Sequence, residues 1–123
     1  MRVWLVIAAL NGFVAVAVGA FGAHALQNRL DAHAMQVFET GARYQMYHAL
    51  GIGLAAFAMR DDAATPATIA AALFLAGIVL FSGSLYLLAL TGTRAFGLVT
   101  PFGGLSFLLG WAALAWTGLR LAR

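Results

Sequence analysis

The stretch VWLVIAALNGFVAVAVGAFGAHAL, from Val3 to Leu26, decides the class of this protein. It is broken only by Asn11 and His24, and about 24 residues rising 1.5 Å each suffice to cross roughly 30 Å of hydrocarbon. The composition of the whole 123-residue chain agrees, with 63% of residues hydrophobic and 9% charged. A soluble domain carries about a quarter of its residues as charges, so this chain belongs in a membrane. A cleaved signal peptide is the rival reading, since Arg2 precedes the run and Ala23-His24-Ala25 has the small-x-small form. The run exceeds the roughly 7 to 15 residues of such a core, which favours a retained span.

Working outward, the chain divides at its charges. Arg60-Asp61-Asp62 must lie in water, because each charge costs about 2.5 to 3.5 kcal/mol at a bilayer centre. Thr65-Pro66 and Thr100-Pro101 are start signals, a threonine cap followed by a proline that needs no donor in the first turn. Gly92 is placed to end a helix. The reading is a single transmembrane domain over residues 1–123, an all-α four-helix bundle with spans near 3–26, 44–59, 66–91 and 98–119. Between the first two spans, Leu30, Ala34, Val37, Phe38, Gly41 and Ala42 recur at helical spacing, and Glu39 and Arg43 form a favourable i,i+4 pair. Residues 31–43 are therefore expected as an amphipathic, interfacial helix continuous with the second span. Continuously apolar runs without alternation exclude a β-barrel.

Four spans put both termini on one side. Trp4 and Trp116 are expected at that interface, Tyr44 and Tyr47 at the other. Arg2, Arg60, Arg120 and Arg123 stand on the terminal side against Arg29, Arg43 and Arg94 opposite, a narrow margin for cytoplasmic termini. Small residues recur in ladders, Ala15-Gly19-Ala23, Ala49-Gly53, Gly51-Ala55 and Ser106-Gly110, which suit close helix packing within the chain or between copies.

The topology gathers polar residues towards the half away from the termini: His24, Tyr44, Gln45, His48, Ser82, Ser84 and Thr100, with Tyr86 and Thr91 nearby. Asn11 is left towards the other half. Intramembrane polar groups face the bundle interior and are functional candidates. Four readings of the cluster stay open. His24 and His48 tie the first two spans together by hydrogen bonds, or ligate a haem from two facing helices, or join a metal site with His33 and Glu39, or border a pocket for a lipid headgroup, a quinone or a small solute.

Other chemistry finds little support. Zero cysteines exclude disulfides and thiolate chemistry. Ser82-Gly83-Ser84 lacks a nucleophile elbow, Gly103-Gly104 has no lysine to make a phosphate cradle, and no Asp or Glu falls inside the four spans to couple an ion. Seven scattered arginines, with a net charge of +3, are not the clustered basic face that nucleic acid requires, so no nucleic-acid partner is expected.

Gly19-Ala-Phe-Gly-Ala-His-Ala-Leu26, Thr40-Gly-Ala-Arg-Tyr-Gln-Met-Tyr-His-Ala-Leu-Gly51, Phe81-Ser-Gly-Ser-Leu-Tyr-Leu-Leu-Ala-Leu-Thr-Gly92 and Thr100-Pro-Phe-Gly-Gly104 with Gly110-Trp111 resemble the domain of unknown function 423 family, the small inner-membrane proteins of the YgdD and YwdK type. The resemblance covers nearly the whole chain. It implies a multi-pass protein of the bacterial inner membrane and supplies no reaction. The expectation is a non-enzymatic structural or accessory component without cofactor or metal, packed against lipid, another membrane complex or further copies of itself. The alternatives are a small-solute channel or transporter subunit, with Asn11, Ser82 and Ser84 lining a polar path, and a haem or quinone protein.

Overall fold

A computed structural model describes residues 1–121; Arg123, counted above with the terminal arginines, lies outside them. The described chain is helical throughout, with four long helices: α1 (Arg2–Leu26), α2 (Ala32–Phe57), α3 (Asp61–Thr91) and α4 (Thr100–Leu121). By length and apolarity α1, α3 and the segment Arg94–Leu121 containing α4 qualify for crossing a membrane.

The sequence explains most of the boundaries. Asp31 caps α2, its side-chain oxygen accepting from the Ala34 N–H at 2.7 Å, which satisfies one of the four orphan donors of a helix start. Gly92 ends α3 in the left-handed region at φ 70°, where the absence of Cβ removes the steric penalty. Asp61 is the other positive-φ residue, at 48°, in the turn that opens α3. Aspartate is among the few side chains that tolerate this region. Thr65 proves not to be a cap. A 3-10 turn at Asp61–Ala63 starts the helix earlier, leaving Pro66 in the first α turn where its missing N–H costs nothing. Thr100 likewise lies inside α4, and the carbonyl of Val99 receives the N–H groups of Phe102 and Gly103.

The largest difference from the sequence reading is α2. Residues 31–43 are continuous with the second span, as expected, but their apolar face does not lie free as an interfacial one would. They are the first half of one unbroken helix of 26 residues, and Phe38, Gly41 and Ala42 on this half are as buried as Ala49, Ile52 and Ala56 on the other. The apolar face of residues 31–43 is thus spent on neighbouring helices rather than on the lipid interface.

Close approaches fix the register. Along the antiparallel α1 and α2, Gly53 faces Ala8, Gly19 faces Ala42 and Gly22 faces Phe38. Gly51 on α2 and Gly110 on α4 cup Phe74 of α3 from two sides; a methyl would stand 3.0 Å and 2.7 Å from its ring. Phe107 of α4 fills the space over Gly77, and Gly103 packs onto the backbone of Phe81. The core where α2, α3 and α4 meet is therefore rings seated on glycines and alanines: Phe74, Ile52, Ala55, Ala70 and Ala71 are fully buried. Dispersion between such close backbones is what holds helices together where lipid removes the hydrophobic drive. α1 packs on α2 and adds little to this core, so the bundle is three helices with a fourth on its flank.

Both α1 and α3 contain a π turn, Ala17–Gly22 and Ile78–Ser82, whose closing N–H bonds reach back five residues from Ala23 and Gly83. Such turns insert a residue without breaking the helix. In α3 this keeps Phe74, Ile78 and Ser82 all turned inward.

Candidate functional site

The polar residues meet in two groups and not in the one expected. The first ties α1, α2 and α3 together at mid-depth. Gln45 donates from Nε2 to Asn11 Oδ1 at 3.0 Å and accepts at Oε1 from the Tyr86 hydroxyl at 2.7 Å, while Asn11 Nδ2 donates to the Ile7 carbonyl at 3.0 Å. Gln45 is buried, and each of its amide groups has a partner, which removes the cost of an unpaired polar group in an apolar medium.

The second group ties α2 to α4. The His48 imidazole stacks on Phe107 with centroids 3.5 Å apart and planes 6° from parallel. Its Nδ1 lies 2.7 Å from the Tyr44 carbonyl, and Trp111 Nε1 donates to its Nε2 at 3.1 Å. A carbonyl only accepts and an indole N–H only donates, so the ring is the neutral tautomer with its proton on Nδ1. Tyr44, one turn earlier, packs against Phe81 at 4.7 Å. Between α2 and α4 these rings border an aromatic groove of about 560 Å³, lined by Tyr44, Tyr47, His48, Phe107 and Trp111.

Two smaller contacts complete the inventory. Ser84 Oγ and Thr100 Oγ1 lie 2.6 Å apart, joining the end of α3 to the start of α4, and Ser84 also donates to the Phe81 carbonyl. Ser106 donates to the Leu73 carbonyl at 2.7 Å. Ser82 is fully buried and its Oγ has no partner.

His24 does not join them. It is exposed, and the register that sets Gly19 beside Ala42 and Ala8 beside Gly53 places it opposite residue 37, offset from His48 by roughly 11 residues or about 16 Å. The expectation that the two histidines lie at similar depth fails because α2 packs along α1 from its first turns onward, whereas the span was expected to begin only near Tyr44. Haem ligation by this pair fails with it, and Trp111 already holds the free nitrogen of His48. Tyr44 and Tyr47, expected at an interface, stand at the middle of α2 for the same reason. Asn11, assigned to the other half, is bonded to the network. Among the described residues no three His, Asp or Glu side chains gather as metal ligands would. Ser82 and Ser84 are packed, and Asn11 is engaged by Gln45, so they line no polar path within one protomer.

The sequence reading undervalued Tyr86 and overlooked Phe107 and the Trp111 indole. The signal for Asn11 and Gln45 was available: a five-residue turn between α1 and a helix starting at Ala32 brings them to comparable depth.

Residues 18–104 match the family described as "Protein of unknown function (DUF423)". This chain belongs to the DUF423 family. It is 45% identical over 112 residues to "UPF0382 membrane protein YwdK" of Bacillus subtilis (strain 168), covering 90% of this chain and 91% of that one. It is 44% identical over 122 residues to "UPF0382 inner membrane protein YgdD" of Escherichia coli (strain K12), covering 99% and 93%. A "UPF0382 membrane protein" of Staphylococcus epidermidis (strain ATCC 12228 / FDA PCI 1200) is 43% identical over 122 residues, 99% of both chains. No solved structure matches. The DUF423 match spans Val18 to Gly104 and so includes the Gln45, His48, Ser82, Ser84, Tyr86 and Thr100 contacts, while Asn11 and Trp111 lie outside it. The names of these relatives state a membrane location and, for the E. coli relative, the inner membrane.

Proposed function

We propose that this DUF423 protein is a four-span component of the bacterial inner membrane with both termini in the cytoplasm, serving a structural or accessory role without catalysis of its own. The observation that carries the reading is the way the interior polar groups are used. Asn11, Gln45 and Tyr86 bond to one another, His48 is held at both nitrogens, and Ser84, Thr100 and Ser106 bond across α3 and α4. Enzyme and transport sites keep polar groups free for the substrate, whereas here, Ser82 apart, these groups fasten helix to helix.

The span count rests on packing. α2 is too polar to qualify alone, yet it runs antiparallel along α1 from Phe38 beside Gly22 to Gly53 beside Ala8, so it crosses wherever α1 crosses. Orientation gains support from the same helix. Arg43 leaves the loop tally, so Arg2, Arg60 and Arg120 stand against Arg29 and Arg94, an excess that favours cytoplasmic termini.

Two experiments test this. The chain has no cysteine, so Asn28→Cys and Asp62→Cys can be labelled singly in intact cells with an impermeant maleimide. Asn28→Cys should react from outside and Asp62→Cys only after permeabilisation; labelling of both from one side would overturn the four-span reading. Purified protein in liposomes should leave urea, glycerol and proton permeability at the level of empty vesicles. Protein-dependent flux would overturn the accessory role.

A further inference from the structure

The outer face of α2 presents a row of side chains at heptad-like spacing. Gln36, Glu39, Arg43, Tyr47, Leu50, Leu54 and Phe57 lie on a stripe roughly 100° wide; all are exposed, the last four at 48%, 62%, 58% and 65%. Its lower half is apolar and suits lipid. Its upper half is not, although on the four-span reading Arg43 stands within the hydrocarbon and Glu39 near its edge. The register sets Arg43 near Val18 and Glu39 near Gly22 of α1, and at those depths α1 exposes Phe21 at 76% and α3 exposes Leu87 at 45%. Charged groups at such depth almost always face protein or a water-filled cavity. Here nothing in the protomer covers them.

We infer that this face is the contact between two copies of the chain, related by a two-fold axis along the membrane normal. Such an axis sets equal depths side by side, so Glu39 of one copy meets Arg43 of the other one turn away, and the reciprocal pair forms by symmetry. One acid and one base a turn apart make the patch self-complementary, which a lipid surface cannot match. Shape agrees with charge. Leu50 and Leu54 form a ridge between the aromatic groove of about 560 Å³ towards α4 and a second of about 590 Å³ towards α1. That second groove has Ala9, Gly12 and Gly53 along it, small residues that let a partner ridge approach. Glu39, read from the sequence as lying outside every span, thus becomes an intramembrane acid neutralised across an interface.

The inference rests on the four-span reading, and the test separates the two. Single cysteines at Tyr47 or Leu54 should give disulfide-linked dimers on oxidation in native membranes, while Phe13→Cys on α1 and Val79→Cys on α3 should give about tenfold less. Glu39→Arg in the Leu54→Cys background should cut cross-linking by about tenfold through like-charge repulsion, and adding Arg43→Glu should restore it to within about twofold. A Leu54→Cys protein that stays monomeric, or cross-links to a different protein, while Asn28→Cys and Asp62→Cys label from opposite sides, overturns the dimer and leaves the topology standing. Cross-linking indifferent to Glu39→Arg, or not recovered by the double swap in protein that still inserts, overturns the charge pairing.

Discussion

Adjacent glycines at the start of α4 offer a sharp test of the packing. At Gly103 a methyl would lie 2.3 Å from the Phe81 backbone nitrogen and 2.7 Å from its Cα, whereas at Gly104 its nearest neighbour would be Phe81 Cδ2 at 4.0 Å. Tolerable carbon contacts begin at about 3.4 Å, so Gly103→Ala must push α3 and α4 apart by roughly 1 Å, and a backbone cannot swing aside as a side chain does. Separation on that scale also loosens Phe107 over Gly77 and the Ser84 to Thr100 contact. The expected cost is at the upper end of overpacking, about 3 kcal/mol, or roughly a hundredfold in the unfolding constant. Gly104→Ala makes the same chemical change in open space and should be neutral or stabilising by up to about 1 kcal/mol, since alanine gives up less backbone entropy in a helix. Reversible unfolding from mild detergent into dodecyl sulfate, followed by tryptophan fluorescence, measures both. Equal stability of the two variants, or a greater loss at Gly104, would refute the assigned contact between α3 and α4.

The polar groups can be tested in the same assay. Tyr86→Phe should cost about 0.6 kcal/mol, the average for hydrogen bonds between helices in bilayers, and at most about 1.7, and Gln45→Leu more, since it strands both Asn11 and Tyr86; the double variant should cost less than the sum. His48→Phe keeps the stack on Phe107 but leaves the Trp111 N–H unpaired, for about 1 to 2 kcal/mol, and Trp111→Phe added to it should recover part of that loss.

How much of this was legible beforehand depends on which physics fixes each feature. The apolar runs made three helices plain, and Gly92 marked the end of α3 because only its backbone freedom suits φ near 70°. Thr65 and Thr100 matched a capping pattern that the chain does not use, because 3-10 turns at Asp61–Ala63 and Arg94–Leu98 enter the helices earlier. The amphipathic residues of α2 were recognised as helical and continuous with the second span, and their burial against neighbouring helices was not foreseen. Amphipathicity states that a face will be buried and is silent on whether lipid, water or another helix buries it. From that one ambiguity followed the mistaken meeting of His24 with His48 and the mistaken isolation of Asn11.

Sequence by itself determined that the chain is helical and resides in a membrane, and its motifs identified the family, because hydrocarbon thickness and backbone hydrogen bonding leave few options for long apolar runs. Only the tertiary structure decided which polar side chains meet. A hydrogen bond needs two groups within about 3 Å, and the register that brings Gln45 to Asn11 and Tyr86 is set by glycines on one helix receiving rings from another. Those pairings lie between residues 34 and 41 positions apart in the chain, and no local pattern encodes them.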